Sequence, residues 1–212
     1  MSKLLVKIKL YYRWFILIPL VISGVWFYTL EKKIIIPEYI LHIRLDDYIP
    51  YGPLFVIPYL LWYLYVAVPA VFLFFKSPGE FIRLVLFLTA GMGIACAVYM
   101  IFPNGQALRP ELNLYNEPII RLIHIIYSYD TPTNSAPSIH VIYSVAVHSA
   151  ITFYNSNRNK IVWVNIISLI MTALCIASTV FIKQHSVIDL ISGIIVSVFL
   201  YYIIYVFGKK LK

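Results

Sequence analysis

Residues 161–207, IVWVNIISLIMTALCIASTVFIKQHSVIDLISGIIVSVFLYYIIYVF, decide the fold. Two apolar runs, 161–182 and 186–207, flank a short polar turn, Lys183-Gln184-His185. As helices rising about 1.5 Å per residue, both runs are long enough to cross a hydrocarbon core of roughly 30 Å. In lipid, backbone polar groups must be satisfied internally, and runs of this length favour helices over barrel strands. Similar stretches lie upstream at residues 11–30, 54–75, 82–103 and 138–154, the last only just long enough. The expected fold is an all-α integral membrane protein: one domain, 1–212, forming a bundle of six transmembrane helices.

Composition points the same way. Of the 212 residues, 61% are apolar and only 12% charged, and the mean hydropathy is +0.84. Soluble domains carry about a quarter charged residues, so this chain has too little polar surface to coat a globule in water. That excludes an ordinary soluble enzyme, a disordered chain and a disulfide-stapled secreted domain. Cys96 and Cys175 sit inside apolar runs and read as small buried hydrophobes. Basic residues flanking the spans explain the net charge of +8 better than a nucleic-acid partner does, so none is expected.

The charges are also sided. With the N-terminus in the cytoplasm, Lys3, Lys7, Lys9, Arg13, Lys76, Arg83, Arg158, Lys160, Lys209, Lys210 and Lys212 fall inside. Lys32, Lys33, Arg44, Arg109, Arg121 and Lys183 fall outside, together with every acid except Glu80. This bias in basic residues places both termini in the cytoplasm. The first run follows basic residues as a signal peptide would. It is long, however, and Leu30-Glu31-Lys32-Lys33 follows it with no small-residue cleavage pattern, so an uncleaved helix is expected. Outside, residues 31–53 read as a re-entrant or interfacial loop. Residues 118–127 read as a short amphipathic helix in the interface.

Ionisable groups at a membrane edge are costly and therefore functional candidates. Three clusters stand out on the outer side: Leu108-Arg109-Pro110, Pro137-Ser138-Ile139-His140, and the stretch from Ser178 to Asp189. Pro137 suits a first helical turn, which leaves Ser138 and His140 where free N–H groups and the positive helix end attract an anion. His185 and Asp189 are four apart on one helical face, so the carboxylate can orient the imidazole and support its charge. Arg109 and Lys183 add two cations able to grip phosphate oxygens. Two histidines, one backed by a carboxylate, beside an anion cradle are the parts for phosphoryl transfer through a phosphohistidine.

The three clusters together resemble the signature motifs of the type-2 phosphatidic-acid phosphatase superfamily, which also includes vanadium haloperoxidases. That pattern has a lysine separated by six residues from Arg-Pro, then Pro-Ser-Gly-His, then Ser-Arg, His after five residues and Asp after three more. This chain carries Arg109-Pro110, Pro137-Ser138-x-His140, Ser178, His185 and Asp189 in order, over a catalytic core of about residues 80–207. It departs at three positions, where Phe102, Ile139 and Thr179 replace the lysine, glycine and arginine. Lys183 is the expected substitute for the lost cations. The divergence resembles the branch near inositol-phosphorylceramide and sphingomyelin synthases.

The resemblance implies a lipid-phosphate phosphatase of the bacterial cell membrane, acting on monoesters or diphosphates at the outer face. A phosphotransferase is the alternative, and a non-enzymatic transport or lipid-binding protein a second one. A transporter should carry its ionisable groups near the midplane, whereas here most lie at one edge. By resemblance, His185 is the nucleophile, Asp189 its orienting partner and His140 the acid for the leaving alkoxide. Arg109, Ser138, Lys183 and Ser178 would bind phosphate, with Gln106 and Asn134 as weaker headgroup contacts. No metal or other cofactor is implied, and the partners are the lipid substrate and the bilayer.

Blander roles are expected elsewhere. His42 and His124 read as interfacial residues and His148 as a hydrogen-bonded core histidine. Ser178 could equally satisfy a carbonyl of its own helix. Gly91 and Gly93 should permit close helix packing, and Tyr59, Trp62, Tyr63 and Tyr65 read as core and interface belt.

Overall fold

The computed structural model describes residues 12–112, 117–156 and 161–208. Lys3, Lys7, Lys9, Arg158, Lys160, Lys209, Lys210 and Lys212, which carry much of the expected inner-side charge, lie outside the described residues. The helices are α1 (Leu17–Lys33), α2 (Arg44–Tyr48), α3 (Val56–Lys76), α4 (Pro78–Ile101), α5 (Pro118–Tyr129), α6 (Ile139–Ser156), α7 (Val162–Phe181) and α8 (Val187–Tyr201). A π-helical stretch, Tyr202–Phe207, prolongs α8. Two-residue strands β1 (Tyr39–Ile40) and β2 (Asn104–Gly105) pair in parallel, and Gly105 also bridges to Thr133.

Among the described residues, five helical stretches are long and apolar enough to cross a membrane: Tyr12–Lys33, Pro53–Lys76, Pro78–Ile101, Val162–Phe181 and Val187–Phe207. Their outward faces are apolar too. On α7, Val162, Trp163, Ile167, Leu169 and Ile170 are all exposed. Contiguous apolar surface of that kind belongs in lipid, not water. The protein is an all-α membrane protein.

The fourth expected span forms a helix, α6, but is not among those five. The reason is its position. It packs against α3, α4, α7 and α8, so its polar side chains meet protein instead of lipid. Ser144 and Ser149 donate to carbonyls one turn back, each at 2.7 Å. The His148 Nδ1 lies 3.0 Å from the Ser168 Oγ, the core role expected for it, and the Asn155 amide donates to Asn165 at 2.7 Å.

Close approach around α6 depends on two glycines. A Cβ at Gly91 would stand 2.4 Å from the Ile142 Cγ2, and one at Gly193 would stand 2.9 Å from the Val141 Cβ. Gly93 has open space where its side chain would be, so the packing role expected of the pair falls to Gly91 alone. Between these contacts the core is filled by Leu84, Phe87, Ile142, Ala146, Val147 and Leu200, all buried. Cys96 and Cys175 are buried free thiols, as expected.

Several segments gather at one end of the bundle. The 34–55 connection carries α2, whose Asp46 is only 2% exposed. The amphipathic helix α5 buries Ile123 and Ile126 against Val56, Tyr59 and Ile182. The α7–α8 turn and the first turn of α6 meet beneath them, where the Ser138 N–H donates to the Asp189 carbonyl at 3.1 Å.

Candidate active site

Three of the sequence-derived candidates converge directly. The His185 Nδ1 lies 3.1 Å from the Asp189 Oδ2, and its Nε2 lies 3.2 Å from the His140 Nδ1. The i, i+4 spacing at the start of α8 brings the first pair together. The same carboxylate oxygen accepts the Ser186 N–H at 3.0 Å and completes a capping box, so Asp189 cannot rotate away without uncapping its own helix. Because the carboxylate can only accept, it selects the His185 tautomer protonated at Nδ1 and leaves a lone pair on Nε2. That lone pair faces the His140 Nδ1–H. The His140 ring is walled by Trp62 and Tyr59, with ring centroids 4.4 and 5.0 Å away. Half of the aromatic stripe on α3 thus lines the histidine pair, a role its spacing did not reveal.

The turn presenting His185 is braced from several sides. Helix α7 closes with Lys183 at φ +58°, a left-handed residue after the helix end where glycine is commoner. The Thr179 carbonyl accepts both the Gln184 N–H (2.8 Å) and the His185 N–H (3.1 Å). The Gln106 amide donates to the Lys183 carbonyl at 2.9 Å. From the other side, the Asp46 carboxylate accepts from the Ser186 Oγ at 2.6 Å and the Val187 N–H at 2.8 Å. It therefore occupies the positive N-terminus of α8. The Lys183 ammonium reaches the same loop and donates to the carbonyls of Asp46 (3.0 Å) and Ile49 (2.6 Å).

A second polar chain runs along the flank of the pair. Arg109 donates to the carbonyls of Tyr127 (3.1 Å) and Asp130 and to the Gln184 side-chain oxygen, and it stacks over the Tyr127 ring at 4.3 Å. Burial lowers its pKa from the usual guanidinium range, with Asp130 the chief opposing charge. The Asp130 carboxylate accepts from the Tyr59 hydroxyl at 2.5 Å and the Gln184 amide at 3.1 Å. Arg109 is thereby linked to His185 through its neighbour Gln184, and to His140 through Tyr59.

The remaining candidates make the following contacts. Ser138 is fully buried, its N–H is engaged by Asp189, and its hydroxyl lies 3.5 Å from the Val141 N–H. Ser178 donates to the Cys175 carbonyl at 2.6 Å, the within-helix role weighed for it. Asn134 donates through its amide to Glu31 at 3.2 Å. Sequence reasoning missed Asn104, whose side-chain oxygen accepts from the Ser135 N–H, the Ser135 hydroxyl and the Ala136 N–H. It also missed Tyr99, which donates to the Pro137 carbonyl at 2.7 Å. Together these two shape the loop that delivers His140. The only signal for Asn104 was its place in the polar Asn104-Gly105-Gln106 cluster.

No curated protein and no solved structure matched the chain in comparison. A family model did, one described as the PAP2 superfamily, and it matches residues 102–212. The matched stretch is just over half of the chain and contains Arg109, Ser138, His140, Lys183, His185 and Asp189. The chain belongs to the PAP2 superfamily of phosphatases and phosphotransferases.

Proposed function

We propose that this protein transfers the phosphoryl group of a membrane lipid phosphate through a phosphohistidine on His185. The single observation supporting this most is the Asp189–His185–His140 chain, in which one imidazole is oriented by a carboxylate and faces a second. The His185 Nε2 attacks phosphorus, the P–O bond to the lipid breaks, and the His140 Nδ1–H protonates the departing alkoxide. His140 then takes a proton from water, whose oxygen attacks the phosphohistidine. Phosphate leaves and both rings return to their starting states. A gap of 3.2 Å is too small for a phosphoryl group, so substrate binding must part the two rings. The simplest substrate is a lipid monoester or diphosphate. A second reading, transfer of a phospho-headgroup to a lipid alcohol, is favoured by the number of carboxylates around the site.

The topology in this reading comes from the charge pattern and helix order. The bundle has six spans, with α6 crossing as a protein-lined helix, both termini are cytoplasmic, and the site faces outward in a bacterial cell membrane. The whole chain acts as one domain, with about residues 80–207 as its catalytic core. A cysteine at the exposed Glu111 should react with a membrane-impermeant thiol reagent in intact cells, and one at the exposed Ser156 should not. The reverse labelling pattern would invert the topology.

Lys183 braces in this account, through the carbonyls of Asp46 and Ile49, and Arg109 is the cation assigned to the phosphate. Lys183→Met and Asp46→Asn should therefore each lower kcat by about tenfold while KM stays nearly constant, as expected when a catalytic group is only mispositioned. A phosphate-binding Lys183 would instead cost on the order of a hundredfold or more, with no matching effect from Asp46→Asn. Steady-state kinetics of the two variants separates these cases.

A further inference from the structure

Arg109 and Asp130 meet on the flank of the histidine pair, where the guanidinium donates to the Asp130 backbone carbonyl. Among the described residues, however, their charged groups form no direct ion pair. The Gln184 side chain stands between them. Its Oε1 accepts from the Arg109 Nη2, and its Nε2 donates to the Asp130 Oδ2 at 3.1 Å. The amide fits only this way round, because a flip would set its NH2 against the guanidinium and its oxygen against the carboxylate. Arg109 also donates to the Tyr127 carbonyl, so each acceptor found for it is neutral.

Gln184 is held firmly enough to act as a spacer. It is buried, its N–H donates to the Thr179 carbonyl at 2.8 Å, and its own carbonyl accepts from the Gln106 amide at 3.3 Å. The Asp130 carboxylate is fixed as well, because the Tyr59 hydroxyl donates to the same Oδ2. The guanidinium, by contrast, has a donor to spare. The Arg109 Nε is buried with no partner among the described residues. An unmet buried donor is costly, and a phosphate oxygen would satisfy it.

From this geometry we infer that Gln184 is a positioning residue for phosphate: its amide keeps Arg109 from closing on Asp130 and so leaves the guanidinium free to take the anion. The inference deepens the phosphoryl-transfer reading above and rests on its assignment of Arg109 to the phosphate. A guanidinium in direct contact with a carboxylate forms two parallel bonds between opposite charges, a stronger hold than contacts to neutral oxygens. A phosphate would have to break that pair before it could bind. Neutral oxygens are given up more easily, and the cation then meets the substrate with its charge unmatched.

Binding of inorganic phosphate to the purified full-length protein in detergent separates this role from a merely structural one. Gln184→Met keeps the length of the side chain and removes both polar ends. Arg109 should then close on Asp130, and Kd should rise on the order of thirtyfold. Adding Asp130→Asn removes the captor and should bring Kd back to within about threefold of the parent. Gln184→Glu should raise Kd too, but there Asp130→Asn should restore far less, because the new carboxylate itself holds the guanidinium. A structural role would leave each double variant at least as weak as its single. Unchanged binding in either single variant, no recovery in the Gln184→Met background, or equal recovery in both backgrounds would overturn the inference. Failure of the phosphate assignment looks different: Arg109→Ala would then bind phosphate as the parent does.

Discussion

His185→Ala is expected to abolish turnover of every phosphate ester the protein accepts, by on the order of a millionfold, the scale for removing a nucleophile. No other group among the described residues is placed to replace it, because the His140 ring is committed to the same pair from the opposite side. Asp189→Asn should cost less, on the order of ten-thousandfold. The amide can still accept at one atom, but it no longer selects the tautomer or stabilises the charge that builds on the ring. Asp189 also caps α8 through the Ser186 N–H, so the melting temperature of the Asn variant should be followed beside its kinetics. A turnover loss in a variant that melts like the parent is a loss of orientation. Appreciable turnover in His185→Ala would remove this residue from the chemistry.

The second large effect separates the two histidines. His140 has no carboxylate of its own: its Nδ1 faces His185, and its ring is enclosed by Tyr59 and Trp62. That setting suits a proton donor to the leaving group more than a nucleophile. An alkoxide leaves poorly without a proton, whereas p-nitrophenolate hardly needs one. His140→Ala should therefore lose on the order of a thousandfold on alkyl lipid phosphates and far less in the first half-reaction with an aryl phosphate. Since the same ring later activates water or an alcohol, the variant should accumulate acid-labile phosphoenzyme. Equal losses on both substrate types would show that His140 does not protonate the leaving group.

Much of this was legible because it is local. Apolar runs of sufficient length mark helices wherever they fall, and the His185–Asp189 pair needs only the i, i+4 geometry of a helix start. The local sequence did not show where the Lys183 ammonium lies. This residue lies two residues from His185 in sequence, but the left-handed turn that closes α7 sends its ammonium to the α2 loop. α6 falls short of the apolarity of its neighbours and packs against four of them, α3, α4, α7 and α8, and sequence hydropathy cannot show such packing. The parts that escaped depend on distant pairings. Asp46 reaches Ser186 across 140 residues and Tyr59 reaches Asp130 across 71. Neither end of either pair carries a local pattern that announces the other. Asn104 is the same kind of case, a turn residue by composition whose carbonyl oxygen organises a loop thirty-odd residues away.

The central claim is that the phosphoryl group rests on one nitrogen of one residue. Asp189 holds the His185 Nδ1, so only Nε2 is free to attack. The His140→Ala variant, incubated with a phosphorus-labelled aryl phosphate and quenched in alkali, should yield one phosphorylated peptide. That peptide should contain His185, and the phosphorus should be bonded to Nε2 when the adduct is examined by nuclear magnetic resonance. Phosphate on Nδ1, on any other residue, or on none would contradict the account.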